Sequence, residues 1–179
     1  MNSMNTPDTD TKTLQAKDFV AEQIKPAKRP RQTYRRILVA TDFSACSAAA
    51  FEQGLMMAKQ NHAELVIAHC SEVPNTLCFM PAGCYGEWEK KCRAKAEKNM
   101  GALLEKARQE NVKAHMLALE GIADHAIVDA AKRLRVDLIV IGTHDHRNGS
   151  RSVLGSVVAP MISRAPCAVL TVHSPAPTA

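Results

Sequence analysis

The chain has no apolar run approaching the roughly 20 residues that cross a bilayer as a helix, and its first residues lack the apolar core of a secretory signal. The expectation is therefore a protein with no membrane partner, in the cytoplasm. Its six cysteines, Cys46, Cys70, Cys78, Cys84, Cys92 and Cys167, form no CxxC pair. Without export features they read as thiols rather than bridges. There is no GxxxxGK[ST] loop, no GxGxxG after the first apolar strand and no GxSxG elbow. Fast phosphoryl transfer, the dinucleotide fingerprint and serine hydrolysis therefore lack their usual machinery.

Charge of one sign is also missing where it would matter. Formal net charge is +5 over 179 residues, but residues 1–36 carry eight basic side chains against four acidic ones. The rest of the chain holds fifteen basic and fourteen acidic residues. A body so close to neutral gives no support for a nucleic-acid face. Residues 1–33 are polar, contain Pro7, Pro26 and Pro30, and have Phe19 as their one aromatic residue. Such a segment buries too little apolar area to offset its ordering entropy and is expected to be mostly disordered.

What is present begins near residue 34. Apolar β-branched runs at Ile37–Ala40, Leu65–Cys70, Asp137–Ile141 and Cys167–Val172, with a more polar one at Lys113–Leu119, predict five strands. Helical periodicity predicts helices opening after Ser44, over Glu87–Glu110, from Asp124 and over Gly155–Ser163. In the second, Trp88, Cys92, Ala96, Met100, Leu103 and Ala107 form the apolar stripe. Gly83, Gly86, Pro74 and Pro81 argue against a regular element between Ser71 and Gly86. Alternating strands and helices imply an α/β domain over residues 34–174, with a parallel sheet covered on both faces and a short tail at 175–179.

In such sheets ligands lie beyond the carboxyl ends of the strands, where strand order reverses. The segments there are Thr41-Asp42-Phe43-Ser44, His69-Cys70-Ser71 and the stretch from Gly142 onward. The last ends in Gly155-Ser156, where a glycine and a hydroxyl at a helix start can point amides at an anion. An ordinary strand-to-helix connection is the plainer reading. Arg147 and Arg151 can neutralise phosphate or simply be solvated, and Asn148-Gly149 lets the loop turn.

The succession ILVATDFS, LVIAHC, DLIVIGTH, LGSVV and RAPCAVLTV resembles the universal stress protein family over roughly residues 35–173. The resemblance implies a Rossmann-like fold with a five-stranded parallel sheet in the order 3-2-1-4-5. It also implies a homodimer through the last strand, Cys167 to Val172, and a stress-response role. Many members bind ATP through glycine, two residues, glycine, nine residues, then glycine with serine or threonine. Here these positions are Gly142, Asp145 and Gly155-Ser156, so the second glycine is replaced. A carboxylate there would repel a triphosphate by on the order of 1 kcal/mol when well solvated.

By the same resemblance the cofactor is ATP or AMP, with adenine near Ala40 and Cys70. Thr41 and Asp42 would lie by the nucleotide, Asp42 holding ribose or Mg. Gly142, Thr143, His144, Asp145, Arg147 and Asn148 would follow ribose and phosphates, and Ser156 and Val157 would take phosphate. Hydrolysis would be slow at most, without a catalytic residue. A rival class, a metal- or thiol-redox sensor, would use His69, His144 and His146, with Cys70 across the crevice and Cys78, Met80 and Cys84 as soft donors. Cys92, on the helix stripe, is expected in the core.

Overall fold

The computed structural model describes residues 34–71, 84–143 and 157–173. The expected tails, the 72–83 segment with Cys78 and Met80, and the 144–156 loop lie outside them. In chain order the elements are β1 (Arg36–Ala40), α1 (Ala45–Asn61), β2 (Glu64–Ser71), α2 (Cys84–Gln109), β3 (Ala114–Glu120), α3 (Ala123–Leu134), β4 (Leu138–Thr143), α4 (Val158–Arg164) and β5 (Ala168–His173). The five strands form one parallel sheet in the order β3-β2-β1-β4-β5. This is the expected order, with β1 and β4 adjacent at the reversal.

Alternation along the strands makes two cores. Ile37, Val39, Leu65, Ile67, Leu138 and Val140 point to one face and meet Ala50, Phe51 and Leu55 of α1 and Ala107 of α2. Leu38, Ala40, Val66, Ala68, Ile139 and Ile141 point to the other, beneath Ile127, Ala130 and Ala131 of α3 and Met161 of α4. The polar third strand is an edge, as expected: its sole fully buried side chain is Leu119.

Two expectations fail in α2. Gly86 does not break it, since the helix starts at Cys84; one glycine costs a helix only about 1 kcal/mol relative to alanine. Cys92 is exposed rather than core. A 26-residue helix is about 39 Å long, whereas the eight-residue β2 spans about 26 Å. Only the carboxyl-terminal part of the stripe, with Ala96, Met100 and Ala107, buries itself, and Cys92 lies a turn short of it.

At the amino-terminal end of the sheet, Glu64 accepts from Arg36 Nη2 at 2.7 Å and Nε at 3.1 Å, and from Lys113 Nζ. Asp137 accepts from the amides of Arg35 and Arg36 at 2.8 and 2.9 Å. The Lys113 hydrogen bond, then the Arg36 one, hold the Glu64 carboxyl at about 2, below the ordinary 4.5. A depressed carboxylate stabilises the fold above its unfolded value and loses that contribution as pH falls through the folded one. Glu64→Gln is therefore expected to flatten the loss of stability between pH 4.5 and 2, read as urea midpoints across that range. An acid limb identical to wild type would contradict this.

Candidate functional site

Register cuts a notch into the carboxyl edge of the sheet. β1 stops at Ala40, which pairs with Ala68 on one side and Ile141 on the other. β2 continues through His69, Cys70 and Ser71 against β3, and β4 continues through Gly142 and Thr143 against β5. Thr41 keeps one further bond, its amide donating to the Ala68 carbonyl at 2.9 Å. The short central strand between longer neighbours leaves the loop after Ala40 as the floor of the notch.

That floor is built from hydroxyls. Thr41 is buried; its Oγ1 donates to Ser47 Oγ at 3.1 Å and accepts from the Phe43 amide at 3.0 Å. Ser44 caps α1, its hydroxyl accepting from the Ser47 amide at 3.2 Å, while Ser47 Oγ donates to the Ser44 carbonyl at 3.0 Å. Asp42 Oδ1 accepts from the Ser44 amide at 3.0 Å. Partial desolvation works against the Asp42 charge, but hydrogen bonds from Ser44 and Ser47 outweigh it and hold the carboxyl below its ordinary value. The site thus presents an exposed, ionised carboxylate beside the capped start of α1. Ser44 was legible as a cap; Ser47 was not singled out, although its i+3 spacing from Ser44 is the signal that finds it.

Gly142 has a neighbour the sequence did not reveal. A Cβ there would lie 2.5 Å from the Cys46 carbonyl carbon, 2.6 Å from its oxygen and 2.8 Å from the Ser47 nitrogen. The backbone that approaches it closely is the first turn of α1. Nor does β4 end at Gly142, as expected: it runs to Thr143, whose buried hydroxyl lies 2.6 Å from His173 Nδ1 on β5. Pairing with β5 provides the partners that keep these two residues in the strand.

Ala40, Cys70 and Val157, far apart in sequence, all pack on the α3/α4-side core. Cys70 Sγ donates to the Gly121 carbonyl at 3.5 Å. His69, one residue earlier, turns to the opposite side, with Nδ1 2.8 Å from the Thr41 carbonyl and its ring centroid 4.5 Å from that of Phe43. The two side chains thus turn to opposite sides of β2, and His144 and His146, the other ligands of the metal alternative, lie outside the described residues. Among the described residues no group of three or more His, Cys, Asp or Glu could hold a metal. His144, Asp145, His146, Arg147, Asn148, Gly155 and Ser156 lie outside the described residues.

A shallow depression at the other end of the sheet is lined by Lys59, His62, Glu64, Glu110, Asn111 and Lys113. Its lysines are neutralised by Glu110 and Glu64, so it offers no free cation to an anionic ligand. Nearer the notch, Asp124 is not the cap of α3. It lies inside the first turn, buried, and takes a hydrogen bond from Arg164 at the end of α4, whose Nη1 lies 2.9 Å from His125 Nε2. Asp124→Asn should lower unfolding free energy by about 1–3 kcal/mol, since a half-buried arginine loses its counter-charge. Equal urea midpoints would contradict the tie between α3 and α4.

The sequence profile of the universal stress protein family matches residues 33–173. The chain belongs to that family. This universal stress protein is 33% identical over 145 residues to one from Methanocaldococcus jannaschii, covering 79% of this chain and 84% of the relative. Its structure is similar to universal stress protein UspA from Lactobacillus plantarum, with TM-score 0.67, 25% identity, and 78% and 97% of the two chains covered. It shares its fold with a universal stress family protein of Arabidopsis thaliana with AMP bound, with TM-score 0.59, 20% identity, and 79% and 93% covered. No described helix is long and apolar enough to cross a membrane.

Proposed function

We propose that this universal stress protein binds an adenine nucleotide, ATP or AMP, in the notch beyond β1 and serves as a nucleotide-sensing module of the stress response. The observation that supports the reading is that β1 ends at Ala40, just before Asp42, between β2 and β4 where strand order reverses, with Cys70 and Gly142 at the carboxyl ends of those two neighbours. The residues fit the ligand. Ala40, Cys70 and Val157 offer a small apolar wall for a purine ring, and the Asp42 carboxylate accepts from ribose hydroxyls or holds Mg. His144, Arg147, Asn148, Gly155 and Ser156 follow ribose and phosphates, as the family motif implies. The AMP carried by the Arabidopsis thaliana relative supports adenine as the base.

The module works in the cytoplasm as a homodimer joined along the open edge of β5, whose side chains are half-buried in the single chain. Hydrolysis is slow at most, since no lysine follows Gly155 and the chain has no GxxxxGK[ST] loop. Calorimetric titration with ATP and with AMP tests the reading. Saturable heat at one site per chain is expected for at least one of them, with Asp145→Gly strengthening ATP more than AMP. No heat with either, in the wild type and in Asp145→Gly, would overturn it.

A further inference from the structure

One contact at the notch belongs neither to the nucleotide motif nor to either core. The Thr41 carbonyl, the first free of the β1 ladder, faces His69 Nδ1 at 2.8 Å. A carbonyl oxygen only accepts, so Nδ1 carries the proton, and the bond is the same whether the ring is neutral or protonated. The His69 ring also lies against Phe43, centroids 4.5 Å apart and planes inclined at 33°. Phe43 has φ 63°, the left-handed region, which is unusual for a bulky side chain and persists only where surroundings impose it. Two restraints act on it: its amide donates to Thr41 Oγ1, and its ring meets His69. Asp42 sits between the two residues that His69 touches.

We propose that His69 is a positioning residue of the nucleotide site: by donating its Nδ1 proton to the Thr41 carbonyl it fixes the turn that presents the Asp42 carboxylate to the ligand, the ring contact with Phe43 being secondary. The proposal rests on the nucleotide reading for its consequence on binding, but not for its effect on Asp42. The geometry separates two roles of the ring. His69→Asn places an amide N–H at the same number of bonds from Cβ as Nδ1 and keeps the hydrogen bond without the ring. His69→Phe keeps a ring against Phe43 and leaves the Thr41 carbonyl without its donor.

Two measurements on the full chain decide it, AMP affinity by calorimetry and the Asp42 carboxyl titration followed by carbon NMR. In His69→Phe the AMP dissociation constant should rise about tenfold, and the Asp42 titration should move up toward the ordinary 3.8 as the Ser44 and Ser47 bonds loosen. His69→Asn should stay within about threefold of wild type and retain the depressed titration. General destabilisation would not separate the two variants in this way. If His69→Phe binds AMP as wild type does and leaves the Asp42 titration in place, the positioning role is refuted while the nucleotide reading stands. If the wild type binds neither AMP nor ATP, that reading fails, and the Asp42 titration alone decides the role of His69.

Discussion

Gly142→Ala is expected to destabilise the protein by about 3 kcal/mol or to prevent its folding. The added Cβ would meet backbone at 2.5–2.8 Å, and backbone cannot rotate away as a side-chain tip can. Relief requires the first turn of α1 to lift from β4, which strains the Ser44 cap and the core around Ala50 and Phe51. Overpacking of this kind costs about 1–3 kcal/mol where side chains yield, and more where they cannot. For a domain of this size 3 kcal/mol lowers the melting temperature by roughly 10 °C. Gly101→Ala is the control: it lies inside α2 with nothing within 4 Å of a Cβ, so it should be neutral or stabilising by about 0.5–1 kcal/mol. Equal melting temperatures for Gly142→Ala and wild type would contradict the close docking of α1 on β4.

Asp42→Asn should weaken AMP binding about tenfold and leave the fold nearly intact. Its amide oxygen can still accept from the Ser44 amide, so the turn before α1 is preserved. What disappears is the charge, and a hydrogen bond to a charged group contributes about 1.5–3 kcal/mol, at least a factor of ten in affinity. Calorimetric titration checks the affinity, and a urea midpoint close to wild type checks that the loss is local. Unchanged affinity in a folded Asp42→Asn would remove Asp42 from the site.

Much of the fold could be read from short-range pattern. Ser44 marked the start of α1, the apolar runs marked the strands, and the more polar run Lys113–Leu119 marked β3 as an edge. The strand order came from the resemblance, because periodicity says nothing of which strands pair. The errors share a cause: each depended on a partner distant in sequence. Cys92 has the right periodicity for the core but lies where α2 has run past the sheet. Gly142 looked like a strand end, yet β5 extends the pairing and α1 demands the missing Cβ. At the site, Asp42 and Cys70 were found as strand-end residues. The support from Ser47, His69 and Phe43 was not, because it comes from tertiary contacts and one left-handed backbone angle.

The central claim concerns place: adenine nucleotide binds at the carboxyl edge of the sheet where β1 stops short of β2 and β4. The direct measurement is an amide-resolved NMR titration with AMP. The account predicts progressive shifts at Thr41, Asp42, Cys70, Gly142 and Val157, with Lys59, Asn111 and Lys113 at the far end unmoved. Shifts confined to that far end, or none at saturation with AMP and with ATP, would contradict it.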